Sequence, residues 1–452
     1  MISTSVRAKL RVLSASLRSL TLVTTERCNL RCTYCQVQKQ AARRMTPEVV
    51  DDAVDWLAQS VVQQPVLSFY GGEPFLEPEL MRRAVVRARS SANGRRLRVN
   101  TPTNTLLLDH HALDFARRER LDLTISIDGT TAPSDRRDAS GRDVTEALLL
   151  RLPSILALQP DCQLLARMTV TPSNVANLAT HVRAFHALGF SRIVYQPAHE
   201  AGWTQPAIDV YGREHSRLGT WLVGLRSLGK PLPEIQPWHS IAHRLRTGAR
   251  RVHCGAGVDS FAVAPDGGLY PCYRFATERG GERYRLGDLG HGVTEKALAN
   301  EFAALDPDRL RPRDGNCANC PARDGCGHFC PASGALLGNG LDSVAAVVCS
   351  LIRAQIGAMR PYVTSNIKRS RASSWVSPIV ALAATSAFGC GDGASPAAPP
   401  GRAAANPGVA QRYTPYSSPE VDSGTSFQDD CADPDASSES PQCHHPVGGV
   451  CN

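Results

Sequence analysis

Fifteen cysteines stand in this 452-residue chain, and ten of them fall into two spaced groups. The first group is Cys28, Cys32 and Cys35, a C-x3-C-x2-C arrangement. A [4Fe-4S] cube is ordinarily held by four thiolates. Three closely spaced ones leave one iron open, and an open iron can chelate the amino and carboxylate groups of a small molecule. A zinc ion completed by a distant Cys or His is the other chemistry the spacing allows. The second group reads Cys254, then Gly267 and Cys272, then Cys317, Cys320, Cys326 and Cys330, then Cys349. These seven can hold two further metal centres, either as clusters or as two zinc sites with His253 or His328 as an eighth ligand.

Residues 1–20 contain no long apolar run, so the chain reads as starting in the cytoplasm. In a reducing compartment clustered cysteines point to metal rather than to disulfides. Net charge is +8, but residues 371–452 carry −5, which leaves +13 on residues 1–370. That excess would suit an acidic peptide or an anionic cofactor. It comes without a basic stripe interleaved with aromatics, so no nucleic-acid partner is expected.

Elements able to position these cysteines follow from periodicity. Strand-like runs at 19–25, 66–70, 97–101, 121–127, 163–170 and 193–196 alternate with helical patterns at 47–60, 79–91, 111–118, 145–158 and 177–188. Six such units predict an α/β fold, a partial (β/α)6 barrel of the TIM type over residues 19–199 behind an extension at 1–18. Ligands of parallel α/β folds gather at the carboxyl ends of strands, and Cys28 directly follows the first strand. Residues 200–250 read as a helical bridge without a motif. Residues 251–352 read as a small cysteine-rich domain that needs its metals for stability, and 353–370 as a closing helix. Beyond 371 the composition turns to Ala, Pro, Ser, Gly and Asp, which predicts a disordered tail. Its apolar stretch 375–388 is 14 residues long, too short for a membrane span, and reads as linker. A bacterial lipoprotein signal ending at Cys390 is the minor alternative.

The triad, with Tyr34 just before its third cysteine, resembles the signature of the radical S-adenosylmethionine (SAM) superfamily. In that family the open iron binds SAM, and reductive cleavage of SAM yields a radical that abstracts hydrogen from the substrate. The resemblance continues at later strand ends. Gly71, Gly72 and Glu73 are similar to the segment that receives the SAM amino group, while Asn104, Ser126 and Asp128 are similar to positions reaching its ribose and carboxylate. The seven later cysteines resemble the SPASM domain found on peptide, sulfatase and quinone-cofactor maturases. That likeness implies three [4Fe-4S] clusters in all. Cys317, Cys320, Cys326 and Cys349 would hold an outer auxiliary cluster, and Cys254, Cys272 and Cys330 an inner one that is a ligand short. Ser260 stands near the place where sulfatase maturases supply an extra cysteine, and is a poor iron ligand.

Sulfatase maturases also place an Asp proton acceptor directly after the cysteine matching Cys272, whereas this chain has Tyr273, a speculative relay. The resemblance therefore implies a maturase of a ribosomally made peptide, installing a thioether or carbon-carbon cross-link, with a reductant such as flavodoxin or ferredoxin. A sulfatase-maturase-like protein oxidase and a non-enzymatic iron-sulfur or zinc scaffold are the alternatives. About 18 residues precede the first strand, too few for a separate leader-binding domain. The tail carries Cys390, Cys431, Cys443, Cys451, Tyr413 and Tyr416, so the chain's own tail is a second candidate substrate.

Overall fold

A computed structural model describes residues 16–37, 43–91, 96–131, 133–249, 254–306, 311–312, 317, 319–327, 330–338 and 340–364. All of these fall within one compact unit, Met1–Ser395. The tail beyond 364, its cysteines and tyrosines, His253 and His328 lie outside the described residues.

The barrel region runs β1 (Ser19–Thr25), α1 (Pro47–Ala58), β2 (Val66–Gly71), α2 (Pro78–Arg89), β3 (Arg98–Thr103), α3 (His110–Glu119), β4 (Asp122–Ser126), α4 (Thr145–Leu156), β5 (Leu164–Val170), α5 (Leu178–Ala187) and β6 (Arg192–Pro197). These six strands and five helices lie where the periodicity puts them, within one to three residues at each end. Local chemistry explains the boundaries. Thr46 caps α1 by accepting from Val49 N, with Pro47 in the first turn, and the helix buries Val50, Ala53, Val54, Trp56 and Leu57. Asp109 caps α3 by accepting from Ala112 N at 2.8 Å.

Strands β1 to β6 pair in parallel in sequence order. The sequence reading missed strands on both flanks. Within the bridge, α6 (Gln205–Ser227) leads to a three-residue strand, β7 (Glu234–Gln236), which pairs in parallel with β6, and then to α7 (Trp238–Thr247). On the other flank, β8 (Ser260–Val263) pairs in parallel with β1. It leads to β9 (Gly268–Tyr270), α8 (Tyr273–Thr277), β10 (Gly287–Asp288), β11 (Gly292–Val293) and α9 (Lys296–Ala303). One sheet of order β11-β10-β9-β8-β1-β2-β3-β4-β5-β6-β7 results, so the cysteine-rich region continues the barrel sheet.

After β12 (Arg311–Pro312) come α10 (Pro331–Leu337), β13 (Ser343–Val344) and α11 (Ala346–Thr364). The closing helix thus begins earlier than its expected start at 353, which takes Cys349 into its first turn. A buried polar node holds α11 to the barrel. His215 Nδ1 donates to the Tyr211 carbonyl at 2.7 Å, so its Nε2 accepts from Tyr195 Oη and Gln355 Nε2, each at 2.8 Å. Among the described residues no helix is long and apolar enough to cross a membrane.

Candidate active site

The loop that follows β1 is tied down on both sides. Arg31 N donates to the Arg137 carbonyl at 2.6 Å and Thr33 N to the Asp135 carbonyl at 3.0 Å, so residues 135–138 run antiparallel along the cysteine loop. The Asp135 carboxylate accepts from Thr33 Oγ1 at 2.9 Å, Thr171 Oγ1 at 2.6 Å and Ser173 Oγ at 2.8 Å. Burial works against its ionisation, but these hydroxyls outweigh it and hold the carboxyl below the ordinary range. Within the loop, Leu30 N points at Cys28 Sγ, 3.3 Å away. A backbone donor aimed at sulfur favours the thiolate a metal requires.

Glycine is required at the end of β2. Gly71 has φ +133°, and a Cβ there would lie 1.9 Å from the Thr25 carbonyl oxygen. A Cβ on Gly72 would lie 1.9 Å from the Arg27 carbonyl oxygen. With no side chains in the way, Gly72 N reaches Thr25 O and Glu73 N reaches Arg27 O, both at 2.9 Å. The turn is therefore laced to the backbone that leads into Cys28. Glu73 is buried, and its carboxylate accepts from Thr103 Oγ1 at 2.9 Å, Asn104 N at 2.7 Å and Phe75 N at 3.2 Å. Burial nevertheless pushes its carboxyl up to about 7. Its carboxyl ties the end of β2 to the end of β3 while it also lines the cavity described next.

A cavity of about 440 Å³ opens at the carboxyl ends of the strands. Residues of β1, β2, β3, β4, β5, β6 and β8 all line it, so the sheet wraps around it. Cys28, Cys32, Tyr34, Cys35, Gly71, Gly72, Glu73, Asn104 and Ser126 all belong to its wall. Asn104 spans to the cysteine loop, its Nδ2 donating to Asn29 Oδ1 at 2.8 Å and lying 3.9 Å from Cys28 Sγ. Asp128 is placed differently from the ligand contact the resemblance implies. It is buried behind the wall, where it accepts from Tyr34 Oη at 2.6 Å, Thr169 N at 2.9 Å and the Arg136 guanidinium at 3.1–3.2 Å. Arg136, in turn, lies over the Tyr34 ring and does face the cavity. Asp128 thus positions one aromatic and one cationic wall residue.

The opposite wall carries Cys254, Cys272 and Cys330. Burial first, and then the neighbouring Cys330 and Cys254, push the Cys272 thiol up. Ser260 lines the cavity too, its hydroxyl engaged by Asp259 at 3.2 Å and Arg18 at 3.5 Å. Tyr273 packs on Tyr70, and burial raises both phenols. Arg274 joins the walls: it meets Glu278 at 2.6 Å, Glu200 at 3.2 Å, Gln36 at 3.3 Å and Cys330 Sγ at 3.8 Å. Cys317, Cys320, Cys326 and Cys349 do not line this cavity, although Gly327 does. Cys320 N donates to Cys317 O at 3.3 Å, and the turn 320–326 is clamped by Arg360 on Asp324 and by Arg244 Nε on Gly325 O at 3.0 Å.

Sequence reasoning missed Arg136, Arg167, Gln196, His199 and Arg274. Arg167 left a signal, a charge within the otherwise apolar strand β5, and Gln196 and His199 stand at a strand end. Arg136 sits in a polar loop where an arginine ordinarily faces water, and nothing local sets it apart.

Among the described residues no group of three His, Cys, Asp or Glu side chains converges to hold a single metal ion. A four-iron cube places its thiolates on separate irons, and three cysteines on a clamped loop with a backbone donor at sulfur fit such a group. The adjoining cavity fits a ligand with a polar, zwitterionic end.

Comparison with known proteins agrees with this arrangement. Residues 22–152 match the radical SAM superfamily. An uncharacterised protein of Methanocaldococcus jannaschii is 27% identical over 113 residues, 25% of this chain and 39% of that protein's length. Native anSMEcpe with bound AdoMet superposes with TM-score 0.65 at 17% identity, covering 78% of this chain and 99% of that one. The same protein with bound AdoMet and the Kp18Cys peptide gives 0.64 at 16% identity, with the same coverage. SuiB of Streptococcus suis bound to S-adenosylmethionine gives 0.50 at 11% identity, covering 76% and 80%. The structural likenesses speak for the fold, and the family match speaks for residues that carry the first cysteine loop and the glycine turn. Residues 22–152 thus carry a radical SAM domain on a fold like that of anSMEcpe, and the radical SAM superfamily implies a [4Fe-4S] cluster and SAM.

Proposed function

We propose that the chain is a radical SAM/SPASM maturase with two auxiliary clusters, acting in the cytoplasm on a peptide or protein and installing a thioether or carbon-carbon cross-link. The observation that carries this reading is that Cys28, Cys32 and Cys35 share one cavity with Cys254, Cys272 and Cys330. A substrate between them would touch both redox groups. Ring closure from a substrate radical releases an electron, and an auxiliary centre on the facing wall gives it a destination. The peptide seen in anSMEcpe makes a peptide-sized substrate reasonable for this fold.

On this reading Cys28, Cys32 and Cys35 hold the first cluster; Cys254, Cys272 and Cys330 the inner one; Cys317, Cys320, Cys326 and Cys349 the outer one. With SAM bound, the first cluster would supply the one electron that splits the sulfonium bond into methionine and a 5′-deoxyadenosyl radical, and that radical would take the hydrogen atom from the substrate. Glu73 and Asn104 present a carboxyl and an amide group toward the ligand's amino and ribose groups. Arg136, held by Asp128, presents a cation toward its carboxylate, and Tyr34 an aromatic face. Asp135 and the backbone of residues 135–138 keep the cysteine loop in register. A sulfatase-maturase-like oxidation is disfavoured because Tyr273 follows Cys272 and packs on Tyr70.

Anaerobic reconstitution tests this. Binding of about twelve irons per chain and release of 5′-deoxyadenosine on reduction are expected, whereas zinc without SAM cleavage would sustain the scaffold alternative. The substrate is a separate peptide or the chain's own tail. Mass spectrometry of tail peptides with and without SAM distinguishes them, since a cross-link removes two hydrogens.

A further inference from the structure

The nitrogens of the Arg274 guanidinium, in α8, face two ways. Nε meets Glu278 Oε1 at 2.6 Å, while Nη2 meets Glu278 Oε2 at 2.8 Å and Glu200 Oε1 at 3.2 Å. A further tie from Nη2, to Gln36 Oε1 at 3.3 Å, reaches the residue after Cys35. Nη1 points the other way. It donates to Ser333 Oγ at 2.6 Å and lies 3.8 Å from Cys330 Sγ, which Ser333 N also approaches at 3.5 Å. The fork is thus gripped along its carboxylate edge while its opposite corner brings positive charge to a cysteine. The Arg274 and Glu278 side chains keep only 12% and 11% of their surface exposed, so water screens this charge little. Three cysteines on one wall, one of them with two donors turned toward its sulfur, fit a cluster held by thiolates.

We infer that Arg274 and Glu278 set the reduction potential of the inner auxiliary cluster in opposite senses, Arg274 raising it through Cys330 Sγ and Glu278 holding it down. The inference rests on the reading that Cys254, Cys272 and Cys330 hold that cluster. A four-iron cluster gains one negative charge on reduction, and its potential follows the charge and the hydrogen bonds around its sulfurs. A cation beside one sulfur stabilises the reduced form. Closing a cross-link from a substrate radical gives up one proton, to water, and one electron, to this cluster, so a raised potential makes the cluster a readier acceptor. Glu278 offsets part of that effect and keeps the guanidinium aimed at Cys330. A strut that merely joined α8, α10 and the loop after β6 would hold its place without regard to the sign of a charge.

The test is an anaerobic redox titration of full-length, reconstituted protein, followed by electron paramagnetic resonance. The signal of the inner cluster is the one lost when Cys254, Cys272 and Cys330 are replaced by Ala. Arg274→Gln is expected to lower its potential by about a tenfold change in the oxidised-to-reduced ratio, about 59 mV for one electron. Arg274→Lys keeps the charge without the fork, and its potential should lie between that variant and the parent protein. Glu278→Gln leaves an acceptor for Nε but removes the anion, so the potential should rise. Arg151→Gln, on the exposed side of α4, should leave the ratio within about twofold of the parent. An unchanged potential in Arg274→Gln at about twelve irons overturns the inference. So does a shift of the same sign in Arg274→Gln and Glu278→Gln, which is what a strut would give. If Arg274→Gln sheds iron, Glu278→Gln decides alone, and a potential that falls or stays in place overturns the inference. Failure of the underlying cluster assignment looks different: the variant lacking Cys254, Cys272 and Cys330 would then keep all its iron and every signal.

Discussion

The ring of Tyr273 lies 3.9 Å, centroid to centroid, from the ring of Tyr70, the planes inclined at 39°. One ring stands next to Cys272 and the other next to Gly71, so the pair joins the two cysteine-bearing walls. Tyr273→Phe keeps the stacked surface and should leave stability within about 1 kcal/mol of the parent. Tyr273→Ala opens a cavity there and should cost about 3 kcal/mol or more. Anaerobic denaturation of the two variants checks this, and equal midpoints would mean that the stack carries no load.

Replacing Cys28, Cys32 and Cys35 together by Ala should remove about four irons and end SAM cleavage. Replacing Cys254, Cys272 and Cys330 should also remove about four, yet leave some uncoupled 5′-deoxyadenosine release, since the first loop is built without them. Continued cleavage in the first triple variant would refute the assignment of the active cluster.

Gly72→Val and Ser126→Ala, both at strand ends, should behave differently. A Cβ at residue 72 runs into the Arg27 carbonyl, so that variant should lose iron along with SAM affinity. Ser126→Ala only trims the cavity wall, and should weaken SAM binding about tenfold at full iron content. Iron and SAM titrations on the same preparations decide it. Full iron in Gly72→Val would mean that the loop yields easily.

Burial pushes the His215 imidazole down to about 4, against an ordinary value of about 6.5. Its proton is therefore taken up more readily by the unfolded chain. The stability it contributes is present above about pH 6.5 and is lost as the pH falls toward 4, at about 1.4 kcal/mol per unit. Hydrogen exchange in α11, corrected for intrinsic rates, should accelerate between pH 6.5 and 5. His215→Gln, which cannot charge, should flatten that dependence. A parent protein whose α11 protection ignores pH would exclude the node as its anchor.

Most of the barrel was legible because its strands are apolar runs of five to seven residues separated by amphipathic helices. β7 was not, since it is three residues long, follows prolines and buries only Ile235. β8 was not, because its four residues make sense only beside β1, far away in sequence. The cysteines announced themselves by spacing, and Gly71 and Gly72 by standing at a strand end. The difference at Asp128 has a physical cause. Sequence can place a carboxylate at a strand end, but which way it turns depends on Arg136, eight residues further along the same loop, and on Tyr34, which arrives from the cysteine loop.

The pairing of β1 with β8 also bears on how the molecule is made. β1 and the first cysteine loop are synthesised early, yet one edge of β1 stays unpaired until residues 260–263 have left the ribosome, more than two hundred residues later. Over that interval the three thiols lack their facing wall and stand open to a delivery protein. Once β8 zips onto β1, the first site is enclosed. On the proposed assignment, cluster insertion would have a natural order: the amino-terminal site is easiest to fill while the chain is still growing, and a site at Cys254, Cys272 and Cys330 forms only after that door has shut.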